Sequence, residues 1–142
     1  MGGMTHQVVL TTAHLVTSAQ EAIVGERLGI QRGAVEPLFV DEDGTVCAIG
    51  AALPHFVLRD ILRAGHERSN WLDLTQAGYF TYDTLDTVEL LGFLQLGYDA
   101  CFANGARDDQ SCERFCRLML SIDLQALPAF EDWSTLSHQT ST

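Results

Sequence analysis

The stretch from Val40 to Leu53, VDEDGTVCAIGAAL, places the strongest constraint on the fold. Three consecutive acids do not enter a core unpaired. Asp43-Gly44 tolerates the positive φ of a tight reversal. The segment therefore reads as an acidic, solvent-facing tip that delivers an apolar run inward. Residues 38–40 and 45–49 are expected to be the two short strands of a hairpin. Strand alternation cannot turn Val46, Cys47 and Ala48 to one face, so the run should already be turning into helix near its end. Two strands alone are marginal; YFTYD at 79–83 is the candidate for a third.

The rest of the chain reads as helix. Thr11 or Thr12 is expected to cap a helix over 13–28, with Leu15, Ala19, Ala22 and Ile23 as its apolar stripe and Gly29 as its stop. Pro54 suits the first turn of a helix that runs to Ala64, with Gly65 beyond it. A short helix is expected within SNWLDLTQAG. Asp86 with Glu89 resembles a capping box for a helix over 87–104, whose stripe is Leu90, Leu94, Tyr98 and Cys101. Asp108 or Asp109 can cap a last helix over 111–127. The expected architecture is a mainly helical α+β domain of four to five helices with a small antiparallel hairpin or sheet. A single globular unit over 4–127 is followed by a partly ordered polar tail, 128–142, whose Phe130 and Trp133 are able to dock. The initial Met1-Gly2-Gly3 reads as an added leader before Met4.

Charge narrows the function. The chain carries 19 acids against eight basic residues, a net charge of -11. All of the basic residues are arginines, and there is no lysine. Such a surface repels nucleic acid and anionic membrane and attracts basic protein surfaces. The signs are not interleaved, as an ordinary solubilising surface would have them. Residues 33–58, 69–106 and 118–142 contain no arginine at all. No run is long and apolar enough to span a membrane, and no signal peptide is evident; the expected setting is a cytoplasm in which the four cysteines stay reduced.

Motifs for chemistry are scarce. An EF-hand loop begun at Asp41 would place Val46 at position six and Ala52 at position twelve, where glycine and glutamate are needed. Cys112 and Cys116 are one helical turn apart, half of a zinc site, but they share an apolar stripe and no CxxC or HxxxH completes the set. Cys47 is a candidate nucleophile with His14, His55 or His66 as base, although VCAIG is apolar enough to leave a thiol inert. GFLQLG lies within a helical pattern and is no phosphate loop. No metal, cofactor or catalytic set is expected.

Two segments carry a resemblance. DGTVCAIGAALP resembles the DG-x-CAIG-x-L segment of small bacterial and phage proteins of unassigned activity. LLGFLQLGYDA, at 90–100, is similar to the LL-x-x-LQ-x-x-HD that often follows there, with Tyr98 at the usual histidine. That departure weakens the case for a shared His-Asp site. The resemblance implies a compact helical domain with the hairpin cysteine packed inward and a mobile-element origin. In size, charge and lack of a catalytic motif the chain also resembles small acidic inhibitors of host defence of the anti-CRISPR type.

The expected function is that of an acidic interaction protein that occupies a basic, nucleic-acid-binding surface of a partner in a host cytoplasm, without touching nucleic acid or membrane itself. The residues expected to meet the partner are Asp41, Glu42, Asp43, Asp83, Asp86, Glu89, Asp108 and Asp109. The competing expectations are a small enzyme built on Cys47 or a histidine–acid pair, and a toxin–antitoxin-type regulator.

Overall fold

A computed structural model describes residues 8–105 and 107–127. The elements follow as β1 (Val9–Leu10), α1 (Thr12–Val24), α2 (His55–Arg63), α3 (Trp71–Gln76), β2 (Thr81–Tyr82), α4 (Leu85–Asp99) and α5 (Asp109–Leu120), with short 3-10 turns at Gly29–Gln31, Gly50–Ala52 and Ala100–Gly105. The chain is thus mainly helical α+β. The tail from 128, with Phe130 and Trp133, lies outside the described residues.

The sheet corrects the expectation of an antiparallel one. β1 and β2 pair in parallel, Val9 opposite Thr81 and Leu10 opposite Tyr82. Thr81 lies within the segment expected as a third strand, but its partner is a two-residue strand just ahead of α1, too short to leave an alternating pattern in the sequence. Each strand leads into a helix, β1 into α1 and β2 into α4. Thr12 and Thr87, one at the start of each following helix, share a hydroxyl–hydroxyl hydrogen bond of 2.9 Å. Thr87 is fully buried.

The expected hairpin is reduced to a tip. Asp41 N–H donates to Thr45 O at 3.0 Å, and Cys47 N–H donates to Phe39 O at 3.1 Å. Val40 and Val46 form an isolated antiparallel bridge. The loop has three residues, 42–44, with Gly44 at φ 85, the left-handed conformation that such loops require. No longer ladder follows, because Val46 also bridges Leu28 in parallel, and Gly29 N–H donates to Val46 O at 2.9 Å. Past Val46 the chain does turn into helix at Gly50. A β-carbon on Gly50 would lie 2.5 Å from Phe39 O, so only glycine fits.

Helix ends shift for local reasons. α1 stops at Val24 because Glu26 adopts φ 54. Glu26 N–H then donates to Ile23 O and Arg27 N–H to Ala22 O, the paired bonds of a Schellman stop. The cap of α4 is Thr84, whose side chain accepts from Thr87 N–H; Asp86 and Glu89 do not form the expected box, and Asp86 sits in the first turn, where a helix favours negative charge. α5 is capped by Asp108 and ends at Leu120, short of 127. Its end is held by Gln20 Nε2, which donates to Met119 O and to Ile122 O at 2.9 Å each.

The apolar stripes do form the core. Leu15, Ala19, Ala22, Leu90, Leu94, Tyr98 and Met119 are all buried and belong to one cluster that runs from Leu10 to Ile122.

Candidate partner-binding surface

The acidic tip is an ordered structure. Asp41 Oδ1 accepts from Asp43 N–H at 2.9 Å and from Thr45 N–H at 3.0 Å, and Asp41 Oδ2 accepts from the Thr45 hydroxyl. The carboxylate of Asp41 thus shapes the loop, and it is only half-exposed. Glu42 and Asp43 point from the same loop into solvent.

Asp108 and Asp109 open α5. Asp108 accepts from Ser111 N–H at 2.9 Å and from the Ser111 hydroxyl at 2.6 Å, and these bonds hold its carboxyl below the usual aspartate range. Asp109 pairs with Arg107, which also donates from Nε to Ile30 O at 2.7 Å. The turn at Gly29–Gln31 therefore lies between the tip and the start of α5: it bonds Val46 on one side and Arg107 on the other. Five of the candidate acids belong to the two segments that this turn joins, Asp41, Glu42 and Asp43 to the tip and Asp108 and Asp109 to the start of α5.

The other three lie elsewhere. Asp83 accepts from the Thr87 hydroxyl at 2.7 Å, Asp86 is exposed in the first turn of α4, and Glu89 is half-exposed one turn on. The far end of α4 reaches the Gly29–Gln31 turn: Ile30 N–H donates to the Tyr98 hydroxyl at 3.2 Å. From Asp86 to Tyr98 is about 18 Å along a helix axis. The eight acids thus form two poles, not one continuous patch. Sequence order could not show this, because the tip and α5 are joined only through the fold.

All eight arginines lie among the described residues. The ion pairs among those residues use Glu36, Glu67, Asp109 and Glu113. Of the eight candidate acids, only Asp109 is neutralised by a partner.

Cys47 is placed without a histidine beside it in its cavity. It is buried, and its sulfur accepts from Gly50 N–H at 3.2 Å. Burial pushes its thiol up to about 12. It lines a cavity of about 10 Å³ with Phe39, Ala48, Ile49, Tyr98 and Asp99 and with no histidine, room for about one water. His14 is engaged instead with Ala52 O at 3.0 Å, and His66 with the Tyr79 hydroxyl at 3.0 Å. Burial also raises the Asp99 carboxyl, against the hydrogen bond from Gln95. Cys112 is buried and Cys116 half-buried on α5. Among the described residues no group of three or more His, Cys, Asp or Glu side chains is placed to hold a metal ion, and no helix is long and apolar enough to cross a membrane.

The fold and surface define a small, acidic, mainly helical α+β protein in which, among the described residues, one of the eight candidate acids, Asp109, is ion-paired. No protein-family model, curated protein or solved structure matches the chain.

The aromatic residues Trp71, Tyr79 and Tyr82 are the surface that the sequence offers should the acids serve solubility alone, but their contact geometry is not legible in it. Trp71 and Tyr82 stand edge to face, ring centroids 6.4 Å apart. Their spacing of eleven residues carries no periodic signal, and only the aromatic composition of 71–82 pointed there.

Proposed function

We propose that the protein is an acidic interaction module that occupies a basic, nucleic-acid-binding surface of a partner protein, in the manner of small phage-borne inhibitors of host defence such as the anti-CRISPR proteins. The observation that carries this reading is the set of carboxylates at the acidic tip and at the start of α4: among the described residues, seven of the eight candidate acids make no ion pair, Asp109 being the exception. Unpaired acids repel each other and lower the stability of the compact state, and a basic partner relieves that repulsion. The mobile-element origin implied by the two resembling segments favours the same reading.

The test uses the full chain as bait in lysate from a bacterium that carries nucleic-acid-targeting defence systems. A captured partner should elute as salt is raised, and its binding to DNA or RNA in a gel shift should be lost when the purified acidic protein is added. A partner whose nucleic-acid binding is untouched, or no salt-sensitive partner, overturns the reading.

A further inference from the structure

The face built by α3, β2 and the first turn of α4 combines two properties that the tip lacks. It has exposed apolar side chains: Leu72 is 47% exposed, Tyr82 36% and Leu85 77%. Each of these is followed directly by an exposed acid, Leu72 by Asp73, Tyr82 by Asp83 and Leu85 by Asp86. Trp71, half-buried and packed against the core, meets the Tyr82 ring edge to face. Single exposed apolar residues are ordinary, but an aromatic pair rimmed by unpaired carboxylates has the composition of an interface hot spot. None of the three acids takes part in an ion pair, and no arginine occurs between Arg68 and Arg107.

We propose that this face is the docking surface for an arginine-rich segment of the partner, with Trp71 and Tyr82 as stacking platforms and Asp73, Asp83 and Asp86 as guanidinium acceptors. The inference rests on the acidic-module reading and names its site and its preferred cation. Charge complementarity selects a basic occupant, since phosphate and anionic lipid are repelled. The aromatic pair selects arginine over lysine. A guanidinium is planar and weakly hydrated, so it stacks on an aromatic ring while forking two N–H groups onto one carboxylate. An ammonium is strongly hydrated and has no flat face to stack. The tip at 41–45 offers carboxylates alone and would not make this distinction.

The experiment titrates the isotope-labelled full chain with nona-arginine and with nona-lysine, peptides of equal charge, at about 150 mM salt, and follows backbone amide shifts. Nona-arginine is expected to bind about tenfold more tightly than nona-lysine, with shifts concentrated at residues 71–73 and 81–89. Tyr82→Leu should bring the two peptides to equal affinity, while D41N/E42Q/D43N should leave the preference intact. The wild-type footprint needs no variant, so a Tyr82→Leu protein that fails to fold does not remove the test. Shifts confined to 41–45 and 107–111, equal affinity for the two peptides, or a chain that self-associates through 71–89 would overturn the docking inference and leave the acidic-module reading standing. No binding of either peptide would overturn both.

Discussion

The Tyr98 hydroxyl lies 3.4 Å from the carbonyl oxygen of Val46, a residue 52 positions earlier in the chain. The same hydroxyl accepts from Ile30 N–H, so one buried side chain ties α4 to both neighbours of the acidic tip. The acidic-tip segment 40–53 and the α4 segment 90–100 meet here. Tyrosine at 98 has a structural task, whatever a histidine does at that position elsewhere.

Tyr98→Phe should therefore cost about 1–3 kcal/mol, because it leaves the buried Ile30 N–H without its acceptor and Val46 O with one bond fewer. Urea unfolding at neutral pH measures this. A loss under about 0.5 kcal/mol would mean that the turn relaxes to re-pair both groups.

The thiols predict a response to alkali. Burial raises Cys47 from 9.0 to about 12 and Cys116 to about 11. A group whose native pKa is raised contributes stability that is complete below its unfolded value and is lost as pH climbs through the native value. Stability should therefore be level up to about pH 8 and fall between 9 and 12. In the native protein at pH 8, Cys47 should react with a disulfide reagent only at the rate of opening. Rapid stoichiometric labelling of Cys47 would point to a reachable thiolate and revive a nucleophilic role.

Glu26 occupies a left-handed position where glycine is favoured, one residue after Gly25, which has an ordinary φ of -83. Glu26→Gly should stabilise the protein by about 0.5–1 kcal/mol by relieving that strain. Glu26→Asn should do so in part, since asparagine tolerates the conformation. An unchanged or lower melting temperature for both variants would count against the Schellman stop.

This residue also marks the limit of what the sequence could convey. The helices were legible because their stripes recur at helical spacing: Leu90, Leu94 and Tyr98 are buried as the period requires. The stop of α1 was not legible, because Gly29 is the glycine the pattern points to while the residue that takes the left-handed turn is a glutamate, Glu26. The parallel β1–β2 pair was hidden by its two-residue length. The acids at the tip were legible as exposed, but Asp41's part in shaping the loop depends on Thr45, and only the folded turn brings those side chains together. The separation of the acids into two poles is set by α4, whose ends meet different parts of the chain.

Asp41 allows shape and charge to be separated. Asp41→Ala removes the acceptor for Asp43 N–H, Thr45 N–H and the Thr45 hydroxyl and should cost about 1–2 kcal/mol. Asp41→Asn keeps an oxygen for the two N–H groups and should cost about 0.5 kcal/mol or less. Thermal unfolding of the two variants distinguishes them. An equal loss in both would mean that the negative charge itself holds the turn.

The two poles also predict how association should respond to charge. The Asp86 end of α4 lies about 18 Å along the helix axis from Tyr98, which contacts the Gly29–Gln31 turn, and this exceeds the Debye length of about 8 Å near 0.15 M salt, so the two groups of acids are expected to steer an approaching cation independently. Neutralising Asp41, Glu42 and Asp43, or Asp83, Asp86 and Glu89, with Asn and Gln should lower the logarithm of the association rate by separate amounts, and the combined variant should show their sum. At about 0.02 M salt the screening length lengthens to a value comparable with the separation, and the combined effect should then depart from the sum. Stopped-flow mixing with nona-arginine at the two salt concentrations reads this directly. The wild-type protein should bind neither DNA nor RNA at either concentration, since its carboxylates and the phosphates repel. A DNA gel shift that persists at 0.15 M salt, or association rates that do not respond to salt or to either neutralised pole, would reduce the acidity of this chain to a role in solubility. The aromatic face at Trp71 and Tyr82 would then have to bind by apolar contact alone.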